Sequence, residues 1–334
     1  MRTQYTPQEV KERVLRVLAV VLLIAFLVSA TLFFISLWEK YNGSFKGVGS
    51  ESLKDTVYYD GEKYVLKDNL ETYLFLGLDK FDGKAPESYN NDKQADFLTL
   101  LVVDNGASSF AALHINRDTI TEMDVLGVAG DKIGTVKGQI ALAHTYGNGK
   151  EVSCRNTAQA VSKLLLNADV DHYVSVTMDA VPIYNDLVGG VTVTVLDDFK
   201  GIDSSLIKGE TVTLMGEHSL NYVRTRYGLD DSTNNARMKR QRQYIEALYE
   251  KTLECIDSDK SFIEKSFLKL TDYIVSDCSA NKLQVLMDRL SGYRFDGIYD
   301  IDGEVKTGEA FMEFYPDEDS VIETALKLFY ELKK

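Results

Sequence analysis

The sequence predicts an α/β protein, an α-β-α sandwich around a central mixed sheet, preceded by one N-terminal transmembrane helix. Three observations carry this expectation. Thr72 to Leu78 (TYLFLGL), Phe97 to Val103 (FLTLLVV) and Ser109 to Ile115 (SFAALHI) are near-continuous apolar runs, as in strands buried on both faces. Segments of helical period are interleaved with such runs, the pattern of a layered α/β fold. The chain also runs uncharged from Val17 to Trp38, long enough to cross a bilayer core of ~30 Å at 1.5 Å per residue.

Taken in order, residues 1–16 read as a cytoplasmic tail. Lys11, Arg13 and Arg16 precede the apolar run, whereas Glu39 and Lys40 behind it cancel, so the positive-inside rule places everything after Trp38 outside the cell membrane. A cleaved signal peptide ending at Val28-Ser29-Ala30 is the competing reading, but the apolar run continues past it, which a signal h-region does not need. Residues 39–67 are polar and glycine-containing and read as an extracytoplasmic stalk with a short hairpin around YYDGEKYVL. Residues 68–334 then form one domain that includes the C-terminal tail. Further strands are expected at HYVSV near 172 and at VTVTV near 191. Helices are expected at Gln139 to His144, Asn156 to Leu166, Asp179 to Val188 with Asp179 as cap, Ala236 to Leu253, and near 260–270, 280–290 and 319–332. No repeat or low-complexity tract interrupts them.

The formal net charge of −14 argues against nucleic acid as a partner. The cysteines (Cys154, Cys255, Cys278) are odd in number and widely spaced, which gives neither a metal pattern nor a complete disulfide framework. There is no Gly-x-Ser-x-Gly, His-Glu-x-x-His, P-loop or dinucleotide fingerprint.

Against that acidic background, five of the twelve arginines fall between Tyr222 and Gln243. Tyr222 to Tyr227 is aromatic and β-branched enough to be extended, which would point Arg224 and Arg226 to one face. From Ala236 the period is helical and puts Arg237, Arg240, Gln241 and Tyr244 on one side. The polar linker with Gly228, Asn234 and Asn235 can turn the chain so that the two faces meet. Forked, permanently charged guanidiniums match phosphate oxygens two at a time; they also pair with surface carboxylates, of which this chain has many.

Asp79 ends the first apolar strand and Asp96 opens the second. If those strands are antiparallel neighbours, the two carboxylates come together as Mg²⁺ prefers when phosphates and waters complete its octahedron; two solvated loop aspartates would look the same. Arg117-Asp118 follows the third strand, where a salt-bridged strand end is the plain reading. His144 is a possible general base, although a lone histidine there also reads as core.

Arg224-x-Arg226, a linker, then Arg237, Arg240 and Gln241 reproduce an R-x-R…R-x-x-R-Q signature, and with it the chain resembles the LytR–CpsA–Psr family of cell-wall ligases. Gly77-Leu78-Asp79 resembles that family's G-x-D, Asn116-Arg117-Asp118-Thr119 its P-R-D-T, and Gln139 to Gly147 its K-I-N-A-A-Y-A-Y-G-G. VGGVTV and DHYVSV also recur, so the resemblance spans about residues 70 to 255. It departs at Gln94-Ala95-Asp96, where the family carries R-S-D, at Asn116 for proline, and at Gln139 and Ala141 for lysine and asparagine. The arginine that often follows G-x-D is also absent, with Lys80 and Lys84 as the nearest replacements.

The resemblance implies transfer of a glycopolymer from a polyprenyl-pyrophosphate carrier to a peptidoglycan hydroxyl, forming a phosphodiester at the membrane's outer face. It implies Mg²⁺ or Mn²⁺ on Asp79 and Asp96, and catalysis by Arg117, Asp118, Arg224 and Arg226. Arg117, Arg224, Arg226, Arg237, Arg240, Gln241 and Gln94 would hold the pyrophosphate. The substitutions at Gln94, Gln139 and Ala141 motivate two alternatives: a degenerate protein that only binds polyprenyl phosphates, and a polyprenyl-pyrophosphate hydrolase.

Overall fold

The structure, a computed structural model, describes residues 56–79, 93–308 and 311–333. The expected cytoplasmic tail, the transmembrane helix at 17–38, most of the stalk, and Lys80 and Lys84 lie outside the described residues. Among those described, no helix is long and apolar enough to cross a membrane.

The chain opens with the hairpin β1 (Thr56–Tyr59) and β2 (Glu62–Leu66). Its turn uses positive φ at both Asp60 and Gly61 (49° and 78°), the conformation that matches the twist of a two-residue hairpin. Next come β3 (Leu70–Leu78), β4 (Ala95–Asp104) and β5 (Ser109–Ile115), then the hairpin β6 (Ile120–Leu126) and β7 (Lys132–Gln139). A 3-10 segment over Ile140–Tyr146 leads into α1 (Glu151–Leu164), β8 (His172–Thr177), α2 (Ala180–Leu187), β9 (Val191–Thr194) and β10 (Thr211–Leu214). The chain continues through α3 (Glu217–Arg224), α4 (Asn234–Ser258), α5 (Phe262–Lys269), β11 (Ile274–Ser276) and α6 (Ala280–Leu290). It closes with β12 (Arg294–Tyr299), β13 (Gly303–Thr307), β14 (Met312–Pro316), α7 (Glu318–Phe329) and β15 (Tyr330–Lys333).

The central sheet has the order β11-β8-β3-β4-β5-β12 and is mixed. β3–β4 and β4–β5 are antiparallel, whereas β3–β8 and β5–β12 are parallel. All seven residues of β5 are buried, which explains why this strand shows no polar alternation: both of its faces are covered. On one face Tyr73, Val103 and Phe110 pack with Leu286 and Leu290 of α6 and with Tyr249 of α4. α1 packs with β6, β8 and the 3-10 segment. A second core gathers Val191, Val193, Phe199, Tyr222, Val223 and Tyr244 around β9, α3 and α4.

The C-terminal segment is woven into this body, since β11 and β12 form the two edges of the central sheet. The hairpin expected in a stalk is likewise part of the fold, because β2 pairs with β15 from Leu66↔Tyr330 to Lys63↔Lys333.

Two local expectations are corrected. Tyr222 to Tyr227 is not a strand: it contains the last turn of α3, and extended backbone begins only at Thr225. Leu220, Tyr222 and Val223 are all buried, and burial on a helical face outweighs the β-propensity of so short a window. Asp179 stands at the start of α2 but does not cap it with its side chain. The three cysteines are free.

Candidate functional site

A cleft of about 600 Å³ opens where the ends of several elements converge. Asp79 follows β3, whose last residue Leu78 faces Ala95 at the start of β4, so Asp96 enters from the neighbouring strand. β5 runs antiparallel to β4 with Ile115 opposite Leu98, which delivers Arg117 and Asp118 to the same end of the sheet. The end of α3 and the residues after it supply Arg224, Arg226 and Tyr227, the first turn of α4 supplies Arg237, and the β13–β14 turn closes the rim with Thr307, Gly308, Phe311 and Met312.

The guanidiniums differ in how far the protein itself neutralises them. Arg117 is the most engaged: it ion-pairs with Asp96, donates to Gln94 Oε1, and lies 3.4 Å from Asp118 Oδ1. Arg224 Nη2 donates to Asp79 Oδ1 at 2.7 Å, with both side chains nearly half exposed, a pair of small net worth. Arg226 spends Nε on the Ser232 carbonyl (3.1 Å) and lies over the Tyr227 ring. Arg237 is buried and donates from Nη2 to Asn234 Oδ1 at 2.6 Å, while its Nε has no hydrogen-bond partner. Neither Arg226 nor Arg237 has a carboxylate within ion-pair range among the described residues. Burial, reinforced by the Arg117 and Arg226 charges, pushes Arg237 down to about 10. Among the described residues the cleft is thus lined by four guanidiniums and three carboxylates, a positive surplus that a bound anion relieves.

Asp118 is buried, and desolvation raises its pKa against the opposing pull of Arg117, Arg226 and Arg237. Its Oδ1 accepts from Gln139 Nε2 at 3.1 Å, and the same amide donates to the Met312 carbonyl at 2.7 Å. The Phe314 amide donates to the Asp118 carbonyl at 2.9 Å. Gln139 therefore clips the C-terminal hairpin to the Arg117–Asp118 loop. Gln139 is visible in the sequence as a substituted motif position, but its hairpin partner is not, because their contact spans a large sequence separation. Tyr227, beside Arg226, was the one missed residue with a local signal.

Eight of the expected site residues line this cleft: Asp79, Gln94, Asp96, Arg117, Asp118, Arg224, Arg226 and Arg237. Arg240 and Gln241 do not, which corrects their expected role toward pyrophosphate. Arg240 is fully buried, pairs with Asp197, donates to the Tyr222 (3.0 Å) and Thr225 carbonyls, and lies over the Phe199 ring. Gln241 Nε2 donates to the Val223 carbonyl at 3.1 Å. Both tie α4 to α3, satisfying carbonyls that the end of α3 leaves unpaired. His144 is core: it has no exposure, its Nδ1 lies 3.2 Å from the Lys93 carbonyl, and burial drops its pKa to about 4. Ile140, Ala141 and Ala143 beside it are fully buried.

Asp79 and Asp96 offer hard oxygen donors on one cleft wall, the type that suits Mg²⁺. Asp96 is engaged by Arg117 and Asp79 by Arg224 as ion pairs, so each carboxylate would share its charge between a guanidinium and an ion. The residues present are compatible with a divalent ion shared with a phosphate.

Comparison with known proteins adds an independent line. The LytR_cpsA_psr family model matches residues 42–324. A Halalkalibacterium halodurans protein named polyisoprenyl-teichoic acid–peptidoglycan teichoic acid transferase TagU is 31% identical over 161 residues, 48% of either chain. Biofilm regulatory protein A of Streptococcus mutans is 26% identical over 280 residues, 80% of this chain and 64% of that one. The chain thus spans about half the length of the first relative and just under two thirds of the second. Among solved structures, TagV of B. subtilis superposes with a TM-score of 0.58 at 24% identity, covering 77% of this chain and 95% of that one, a likeness of fold.

Proposed function

Because the chain belongs to the LytR_cpsA_psr family, we propose that it transfers a glycopolymer from a polyprenyl-pyrophosphate carrier to a hydroxyl of peptidoglycan, and that it does so at the outer face of the membrane, with the apolar sequence 17–38 as its proposed anchor. One observation carries this reading: Arg226 and Arg237 meet in a partly enclosed cleft without a carboxylate of their own among the described residues. A site tuned for a polyanion looks like this, whereas a structural ion-pair network leaves no such surplus. The name of the H. halodurans relative, a teichoic acid transferase, supports the choice of donor and acceptor.

In this account Arg226 and Arg237 grip the phosphate oxygens, and Arg117, aimed by Asp118 and Gln94, completes the clamp. Arg224 sits at the edge and exchanges Asp79 for phosphate at little cost, since its present pair is exposed. The acceptor oxygen bonds to the phosphorus that bears the glycan. The bond from that phosphorus to the bridging oxygen breaks, and the lipid leaves as a monophosphate that can carry off the displaced proton. Such a transfer needs positioning and charge stabilisation more than covalent catalysis. A divalent ion held by Asp79 and Asp96 would offset the charge on the leaving phosphate.

The test uses the full-length protein in detergent with lipid-linked glycan, Mg²⁺ and peptidoglycan. A covalent glycan–peptidoglycan product is expected. Tight lipid binding with no product favours the binding-only alternative, and phosphate release without peptidoglycan favours the hydrolase.

A further inference from the structure

A second cleft of about 380 Å³ shares the Arg224 and Tyr227 walls of the first, a size within the range of small-molecule sites. Its floor is one face of α3, where Glu217, Leu220, Asn221 and Arg224 recur at helical spacing. Asp179 lines its other side from the start of α2. That carboxylate is not spent on capping its helix. Neither the Asp179 nor the Glu217 side chain makes a hydrogen bond or ion pair among the described residues. Asn221 is oriented through Nδ2, which donates to Asp203 Oδ2 at 3.0 Å. Among the described residues the lining is therefore rich in hydrogen-bond acceptors and carries two carboxylates and one guanidinium, the reverse of the phosphate cleft. Such a wall repels phosphate and suits an uncharged ligand bearing many O–H donors. Tyr227, mostly exposed on the ridge between the clefts, offers a ring face for the C–H face of a sugar.

Resting on the transfer reading above, we propose that this second cleft seats the acceptor, a hydroxyl-bearing pyranose of a glycan strand, with Asp179 and Glu217 as positioning residues. Arg224 then borders both substrates and places the acceptor hydroxyl beside the phosphate. The acceptor is favoured over the donor's own sugar because only the acceptor has a hydroxyl that gains from an accepting carboxylate as it attacks.

The test is the Asp179→Asn/Glu217→Gln double variant of the full-length protein in detergent, probed separately with chitotetraose and with undecaprenyl pyrophosphate. The expected result is a loss of chitotetraose affinity of about tenfold or more, with lipid affinity within about twofold and an unchanged melting temperature. In the parent, glycan and lipid bind together rather than competing. Chitotetraose affinity unchanged in the double variant overturns the proposal, as does competition between the two ligands in the parent. A parent that binds no glycan also overturns it. A parent that binds glycan through these carboxylates yet forms no transfer product upholds the subsite and sinks the transfer reading alone.

Discussion

Replacing Arg237 by methionine separates a ligand-gripping arginine from a structural one. Methionine keeps the length and apolar stem of the side chain and removes the charge. In the folded protein that charge is strained by burial and by Arg117 and Arg226, which take it from 12.5 to about 10, a cost of about 3 kcal/mol in holding the ion. Against this stands one charge-assisted bond, from Nη2 to Asn234 Oδ1 at 2.6 Å, worth about 1.5–3 kcal/mol. The two nearly cancel, so the variant should unfold within about 1 kcal/mol of the parent. Pyrophosphate affinity should fall by about 10- to 100-fold, the loss of one charged donor pair. The assay is thermal or urea unfolding with and without pyrophosphate. At a concentration near 100 times the parent's Kd, the ligand stabilises the parent by about 2.7 kcal/mol, and a variant weakened 100-fold by only about 0.4 kcal/mol. A variant destabilised by about 3 kcal/mol or more that keeps the parent's ligand-induced shift would refute the reasoning and return Arg237 to the structural class.

Arg240→Leu should behave in the opposite way: leaving Asp197 buried and unpaired costs about 3–5 kcal/mol, read as a lower urea midpoint, and any loss of ligand affinity should follow unfolding. His114 and His144 are both buried and held near about 4 in the fold against 6.5 outside it. Depressed folded values mean that the unfolded chain binds more protons between those limits. Stability is therefore full above pH 6.5 and falls as pH drops toward 4, by up to about 3 kcal/mol per histidine; equilibrium unfolding across that window checks it, and a flat profile contradicts it. Asp96→Asn should raise the Mg²⁺ concentration for half-maximal transfer by about tenfold or more, measured by titrating the ion into the transfer assay.

The parts of this structure that were legible in the sequence are those governed by local physics. The apolar runs at 72–78, 97–103 and 109–115 are β3, β4 and β5 because strands covered on both faces cannot alternate. Asp60-Gly61 marks a turn because both positions need positive φ. β7 carries almost no buried residue and two glycines, so its pairing with β6 left no periodic trace. β12 and the β13–β14 hairpin are similarly exposed and are defined by partners far along the chain.

For the site, spacing on α4 correctly put Arg237, Arg240, Gln241 and Tyr244 on one face, and all four are buried. Spacing does not say where along that face the cleft ends. Arg237, in the first turn, reaches it, whereas Arg240, one turn on, lies beneath α3 and serves its carbonyls. The rim formed by Phe311 and Met312 depends on Gln139 finding the Met312 carbonyl, a contact that no local pattern encodes.

The central claim is that guanidiniums delivered by β5, α3 and α4 converge to hold a doubly phosphorylated lipid. Its most direct test is a crystal structure of the protein soaked with a polyprenyl pyrophosphate. The account predicts both phosphates within hydrogen-bond distance of Arg226 and Arg237, with Arg117 and Arg224 flanking them. Phosphates bound elsewhere, with Arg226 and Arg237 turned to solvent, would contradict it.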